Sequence, residues 1–114
     1  MKLTVYHLKN CDTCKKAIRQ LQDAGHDLHL VDVRADGVPV ASLREIATSA
    51  GWQPLLNTRS TTWRGLDASE KSGVDETKAL ELMIKHPKLI KRPVIVSHET
   101  VTIGWSREPQ ATWL

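Results

Sequence analysis

The stretch Leu3-Thr4-Val5-Tyr6-His7-Leu8-Lys9-Asn10-Cys11-Asp12-Thr13-Cys14 decides how the chain begins to fold. Leu3, Val5 and Tyr6 supply the apolar and β-favouring side chains of a strand over Leu3–Leu8. Asn10 then offers an N-cap, and Cys14, Ala17, Ile18 and Leu21 recur at the spacing of one buried helical face. Gly25 stops that helix, because glycine enters the left-handed conformation of a helix end without steric cost. His26 to Val33 is rich in Leu and Val and reads as a second strand. A strand, a helix and a strand in this order predict a right-handed crossover between parallel strands.

Working outward, the pattern turns helical from about residue 35 to about residue 87. Leu43, Ile46, Ala47 and Ala50 share one face, Gly51 interrupts, and Ala79, Leu82, Met83 and Ile84 make a later apolar stripe. Asp67 and Glu70 have capping-box spacing, which predicts a short helix there. Val94–Ser97 and Val101–Ile103 are short β-branched runs separated by His98-Glu99-Thr100, the pattern of an antiparallel hairpin. Trp105 to Leu114 has room only for a terminal turn or helix. The expected architecture is α/β, a single domain over residues 1–114, with a mixed four-stranded sheet and a helical insertion over about 35–87. The opening unit is that of a thioredoxin-like fold.

Composition narrows the function. The chain has 114 residues, 40% hydrophobic and 25% charged, close to the globular average and enough for a core without disulfide staples. No apolar run approaches the roughly 20 residues that span a bilayer, so no membrane association is expected. The N-terminus enters a strand without the apolar region of a secretion signal, so the expected compartment is the cytoplasm. The formal charge of +3 is spread along the chain rather than gathered in a basic arm, which argues against nucleic-acid binding. The excess suits a local anionic ligand instead.

The two cysteines, Cys11 and Cys14, are the only ones in the chain and have the spacing of a redox pair. Cys11 falls where a strand ends and a helix begins, and unpaired backbone N–H groups with the positive end of the helix dipole favour a thiolate there. Lys9, Lys15 and Lys16 add positive charge, and His7 stands at the end of the strand as a candidate partner. Cys14 lies one helical turn on, within reach of a mixed disulfide at Cys11. It also fits the apolar stripe with Ala17, Ile18 and Leu21, so resolving thiol and core residue both remain open. The cysteines and five histidines show no ligand set for zinc, so no metal is expected.

Arginine makes the second constellation, in Asn57-Thr58-Arg59-Ser60, Trp63-Arg64, Lys91-Arg92-Pro93 and Ser106-Arg107. Guanidinium is the planar partner of choice for carboxylates and oxyanions. Arg92 and Arg59 are the candidate anion-binding side chains, with Asn10 and Thr13 beside the cysteine turn.

With Tyr6-His7, Asn10-Cys11-Asp12-Thr13, Leu55-Leu56-Asn57-Thr58-Arg59, His86-Pro87 and Leu89-Ile90-Lys91-Arg92-Pro93 in view, the chain resembles the arsenate reductase-related family. That family includes ArsC, the regulator Spx and YffB-like proteins. The resemblance spans nearly all 114 residues and implies a thioredoxin-like fold with a helical insertion, a nucleophilic Cys11 with His7 nearby, and an anion-binding Arg92. It also implies a cis Pro93 facing the cysteine and glutathione with glutaredoxin as electron source, with no tightly bound cofactor. ArsC proteins hold the oxyanion with three arginines. Here Asn57 stands at the first of them, with Arg59 two residues later, and the third falls near Trp105 and Ser106, with Arg107 displaced. Leu-Leu-Asn-Thr-Arg followed by Thr-Thr-Trp-Arg is closer to the YffB-like branch. The expected function is a glutathione-dependent thiol reductase acting on a small oxyanion or thiol substrate. The alternatives are a glutathione- and glutaredoxin-dependent arsenate reductase and a non-enzymatic redox-switched regulator of the Spx type.

Overall fold

The computed structural model describes all of Met1–Leu114. Strand β1 (Lys2–His7) leads into helix α1 (Asp12–Asp23), and strand β2 (Asp27–Asp32) then pairs parallel to β1 from Lys2 against Asp27 to His7 against Asp32. Helix α1 closes with the full set of C-terminal bonds: the Gly25 N–H donates to Gln22 and the His26 N–H to Leu21, with Gly25 at φ 89°. This left-handed turn reverses the chain into β2. The expected elements are present; only the cap differs, because Cys11 rather than Asn10 occupies it.

The insertion contains α2 (Val40–Ala50), three one-turn helices, α3 (Trp52–Leu55), α4 (Thr61–Arg64) and α5 (Ala68–Lys71), then α6 (Glu76–Lys85) and a 3-10 turn over Pro87–Leu89. Asp67 and Glu70 form the capping box of α5. On α6, Ala79, Leu82 and Met83 are buried, but Ile84 is 38% exposed and departs from the expected stripe. Its position lies one step round the helix from the buried face, which packs against α2, α3 and the 3-10 turn. The hairpin of β3 (Val94–Val96) and β4 (Val101–Ile103) closes the sheet in the order β2-β1-β3-β4, with β1–β3 and β3–β4 antiparallel. Helix α7 (Arg107–Trp113) ends the chain.

Alternation along the strands gives two cores. Leu3, Val5 and Ile95 pack with Ala17 and Leu21 of α1 and with Trp105 and Trp113. Tyr6, Val94 and Val96 join Leu43, Leu55, Met83 and Leu89 of the insertion. The two indoles are tied by their N–H groups, Trp105 to Gln20 Oε1 at 2.6 Å and Trp113 to Thr102 Oγ1 at 2.8 Å. These bonds satisfy the indole N–H that each buried ring would otherwise strand. No helix is long and apolar enough to cross a membrane.

Candidate functional site

The Leu8–Cys11 turn is short and closed by a backbone bond. The Cys11 N–H donates to the Leu8 carbonyl at 3.0 Å, and the Cys11 carbonyl accepts from Lys15 N–H at 3.0 Å, the first bond of α1. Cys11 is therefore the N-cap residue, in extended conformation (φ −95°, ψ 114°), its half-buried side chain at the end of the helix where free N–H groups converge. Burial by itself would raise its thiol pKa. The Cys14 N–H and Cys14 thiol, together with the charge and hydrogen bond of the Arg92 guanidinium, outweigh burial and hold Cys11 below the ordinary thiol range.

Cys14 is fully buried. Burial dominates its titration and pushes the thiol up to about 12, with the neighbouring Cys11 thiolate adding to the rise and the Leu8 backbone and Arg92 opposing it. One helical turn thus separates a thiol whose pKa is lowered from one that stays protonated.

Arg92 reaches the site because its own loop orients it. Nη1 donates to the carbonyls of Lys88 and Ile90, each at 3.1 Å, while Nε is buried without a partner. Both Nη1 hydrogens are consumed and Nε is enclosed, so Nη2 is the nitrogen left to meet Cys11 or a ligand. The Arg92–Pro93 bond is cis and Pro93 is buried, as expected from the resemblance.

Cys11 and Arg92 line one open cavity of about 500 Å³, with Thr13, Pro54, Asn57, Lys91 and the Ile103–Ser106 turn. Its cationic side chains are those of Lys91 and Arg92, and none of its lining residues is acidic. An anion fits its polar side, and Pro54, Ile103 and Trp105 offer apolar surface for the rest of a ligand.

Several expectations require correction. His7 is not among the groups that line the cavity or shift Cys11; its charge acts on Asp32 instead. The parallel register explains this, since His7 lies directly across from Asp32 at the strand ends. Arg59 is exposed and outside the lining; its N–H donates to Asn57 Oδ1 at 3.1 Å and its carbonyl accepts from Arg64 Nη2 at 3.4 Å. That turn points Asn57, rather than Arg59, at Cys11's cavity. Asn10 is exposed, neither cap nor cavity wall, whereas Thr13 is in the wall.

Asp32 was not legible as part of the site. Its carboxylate accepts from the N–H groups of Ala35 and Arg34, at 2.8 and 2.9 Å, and from Lys9 N–H at 3.0 Å. These bonds, led by Ala35 and aided by Arg34, Lys9 and the charge of His7, hold its pKa below the usual carboxylate range. The bond to Lys9 anchors the loop that presents Cys11. A strand-ending Asp before a turn was the available signal.

The ArsC family model matches residues 6–112. A Haemophilus influenzae protein described only as uncharacterized is 44% identical over 112 residues, covering 97% of this chain and 98% of its own. Regulatory protein MgsR of Bacillus subtilis is 32% identical over 111 residues, covering 91% of this chain and 83% of its own. The solved structure named YFFB (PA3664) protein superposes with a TM-score of 0.91 at 37% identity, covering 98% of each chain. The cysteine-bearing helix start, the cis Pro93 loop and the insertion thus lie in one matched frame, and the chain belongs to the ArsC family.

Proposed function

We propose that the chain is a cytoplasmic, glutathione-dependent thiol reductase in which the Cys11 thiolate is the nucleophile. The observation that carries this reading is the shared cavity, where a half-buried N-cap thiol with a lowered pKa lies with the Arg92 guanidinium. The thiolate attacks one sulfur of a disulfide; a Cys11 mixed disulfide forms, the old S–S bond breaks, and the leaving thiolate takes a proton from water. A second thiol then attacks the mixed disulfide and restores Cys11. Arg92 and Lys91 hold a carboxylate of the glutathionyl group while Thr13, Asn57 and Ser106 offer polar contacts.

Glutathione, with glutaredoxin as a protein partner, suits the second attack better than Cys14 does. Loss of the Cys11 charge in the mixed disulfide removes one cause of the high Cys14 pKa, but burial, the larger cause, remains. Arsenate reduction is a narrower version of the same chemistry and fits less well. Neutral Asn57 and Ser106 stand in the cavity where a highly charged oxyanion would draw on further cations.

A mixed-disulfide trap tests the proposal: the chain is treated briefly with oxidised glutathione and its intact mass is read. One glutathionyl adduct in wild type and in Cys14→Ser, and none in Cys11→Ser, is the expected result. An adduct on Cys14 instead of Cys11 would overturn it.

A regulatory reading has one observation in its favour, the 32% identity to a regulatory protein. In that reading the dithiol and disulfide states of Cys11 and Cys14 switch affinity for a protein of the transcription apparatus. Partners captured only in one redox state, without thiol turnover, would select it.

A further inference from the structure

The Ile103–Ser106 turn forms part of the Cys11 cavity wall, and it is tied to three separate elements. The Gly104 N–H donates to the Pro93 carbonyl at 2.9 Å, which binds the turn to the loop that carries Arg92. Gly104 takes φ 84°, a left-handed conformation that glycine enters without steric cost. The Trp105 indole N–H donates to Gln20 Oε1 of α1 at 2.6 Å, and the Trp105 carbonyl accepts from Gln110 Nε2 of α7 at 2.8 Å.

Thr13, Ala17 and Gln20 stand at i, i+4 and i+7 on α1 and share one face of the helix. Thr13 lines the cavity, Ala17 packs in the same core as Trp105, and Gln20 takes the indole hydrogen. Trp105 thus lies along the helix that presents Cys11. Three ties on so short a turn fix its apolar side chains before a ligand arrives, which lowers the ordering cost of binding. The cavity cations are Lys91 and Arg92, whereas Pro54, Ile103 and Trp105 give it an uncharged wall.

We infer that this wall is the subsite for the second half of the disulfide, an apolar or aromatic thiol, and that Gln20 is the positioning residue that sets Trp105 in it. The inference rests on the proposed reading that a glutathionyl disulfide occupies the cavity. Its carboxylate goes to Lys91 and Arg92, which leaves the uncharged wall to the other half. Trp105 is 7% exposed and offers an edge at the base of the subsite, while Ile103 and Pro54 supply more open surface.

The probes are S-benzylglutathione and S-methylglutathione, thioethers that Cys11 cannot open, so their binding reads the subsite apart from the reactivity of Cys11. Calorimetry of wild type should show the benzyl compound bound about fivefold more tightly, through the apolar area its ring buries. The Trp105 indole N–H resonance, identified by its loss in Trp105→Phe, should shift with the benzyl compound and hardly with the methyl one. Gln20→Met keeps the side-chain length but removes the acceptor, and should bring the two affinities within about twofold of each other. Gln20→Glu keeps an acceptor at the same reach and should retain the preference. A lower melting temperature in Gln20→Met with the wild-type affinity ratio would overturn the positioning role. Equal affinities in wild type, which do not depend on any variant folding, would overturn the subsite alone. Failure of both compounds to bind would strike the glutathionyl reading and the subsite with it.

Discussion

Arg92 is the residue on which the anion-binding argument can be tested most sharply. Of its five N–H donors, the two on Nη1 are spent on the carbonyls of Lys88 and Ile90, which fixes the plane of the guanidinium. The remaining Nη2 donors, with Nε unpartnered behind them, are what a carboxylate in the cavity accepts from. Hydrogen bonds to charged groups contribute about 1.5–3 kcal/mol, and partial exposure of Arg92 puts the value at the low end. About 1.4 kcal/mol corresponds to a tenfold rate or affinity difference. Alkylation of Cys11 by iodoacetate and by iodoacetamide reads this directly, because the reagents differ chiefly in carrying a carboxylate. The ratio of the two rates cancels any change in the thiolate fraction. Arg92→Met should lower the iodoacetate-to-iodoacetamide ratio about tenfold, and Arg92→Lys should fall between, keeping the charge but losing the planar Nη2 donors. Thermal melts of both variants check that the Lys88–Ile90 loop survives the lost bonds. An unchanged ratio in folded Arg92→Met, with both reagents slowed equally, would show that Arg92 tunes the thiolate but does not hold the anion.

The iodoacetamide rate of wild type should rise with pH and level off below the ordinary thiol range, since Cys11 is held down against burial by Cys14 and Arg92; a midpoint at or above that range refutes the nucleophile assignment. For Cys14 the folded pKa is raised from 9.0 to about 12, so its contribution to stability is complete below about 9 and is lost as pH climbs towards 12. The melting temperature of wild type should therefore drop more steeply than that of Cys14→Ala over that window, the lysines titrating alike in both. With excess glutathione, Cys14→Ser should leave the lifetime of the Cys11 mixed disulfide nearly unchanged; marked accumulation would make Cys14 the resolving thiol. Asp32→Asn should cost about 1 kcal/mol of stability near neutral pH, by chemical denaturation. Asp32 has a lowered carboxylate pKa, so its stabilising effect is present above the ordinary range and fades as pH falls through the folded value.

Local patterns were legible where local physics decides the outcome. The spacing of Cys14, Ala17 and Leu21 and the stop at Gly25 define α1 from the sequence, and the fold buries those three side chains and completes the turn at Gly25. The hairpin is legible for the same reason, since the Ser97 N–H to Thr100 carbonyl bond closes a turn of adjacent residues. What depends on distant partners was not legible. His7 sits close to Cys11 in the chain, but it is strand register, a tertiary property, that sets it opposite Asp32. Arg59 and Asn57 are two residues apart, and only the bond from the Arg59 N–H to Asn57 Oδ1 decides which of them meets the cavity. Residue type favoured the arginine; turn geometry favoured the asparagine. Ile84 reads as core by its hydrophobicity, and only the way α6 packs against α2, α3 and the 3-10 turn leaves it outward.

The helical insertion explains how so small a fold builds a two-sided site. Leu56 bridges Ile90 in antiparallel fashion, the Asn57 N–H donates to the Leu89 carbonyl at 2.7 Å, and the Lys91 N–H donates to the Leu55 carbonyl at 2.9 Å. Leu55, Leu56, Leu89 and Ile90 are all buried in the same core. The segment that carries Pro54 and Asn57 is thereby stitched to the segment that runs directly into Arg92 and Pro93. Cys11 is held from the other side of the sheet, through Leu8, Lys9 and Asp32. One wall of the cavity is thus set by the parallel β1–β2 unit and the opposite wall by the insertion, and the distance between thiolate and guanidinium depends on both cores packing correctly. Loosening of the Leu55–Lys91 stitch shifts Arg92 together with Pro54 and Asn57 relative to Cys11. The insertion therefore acts on the chemistry by fixing the guanidinium.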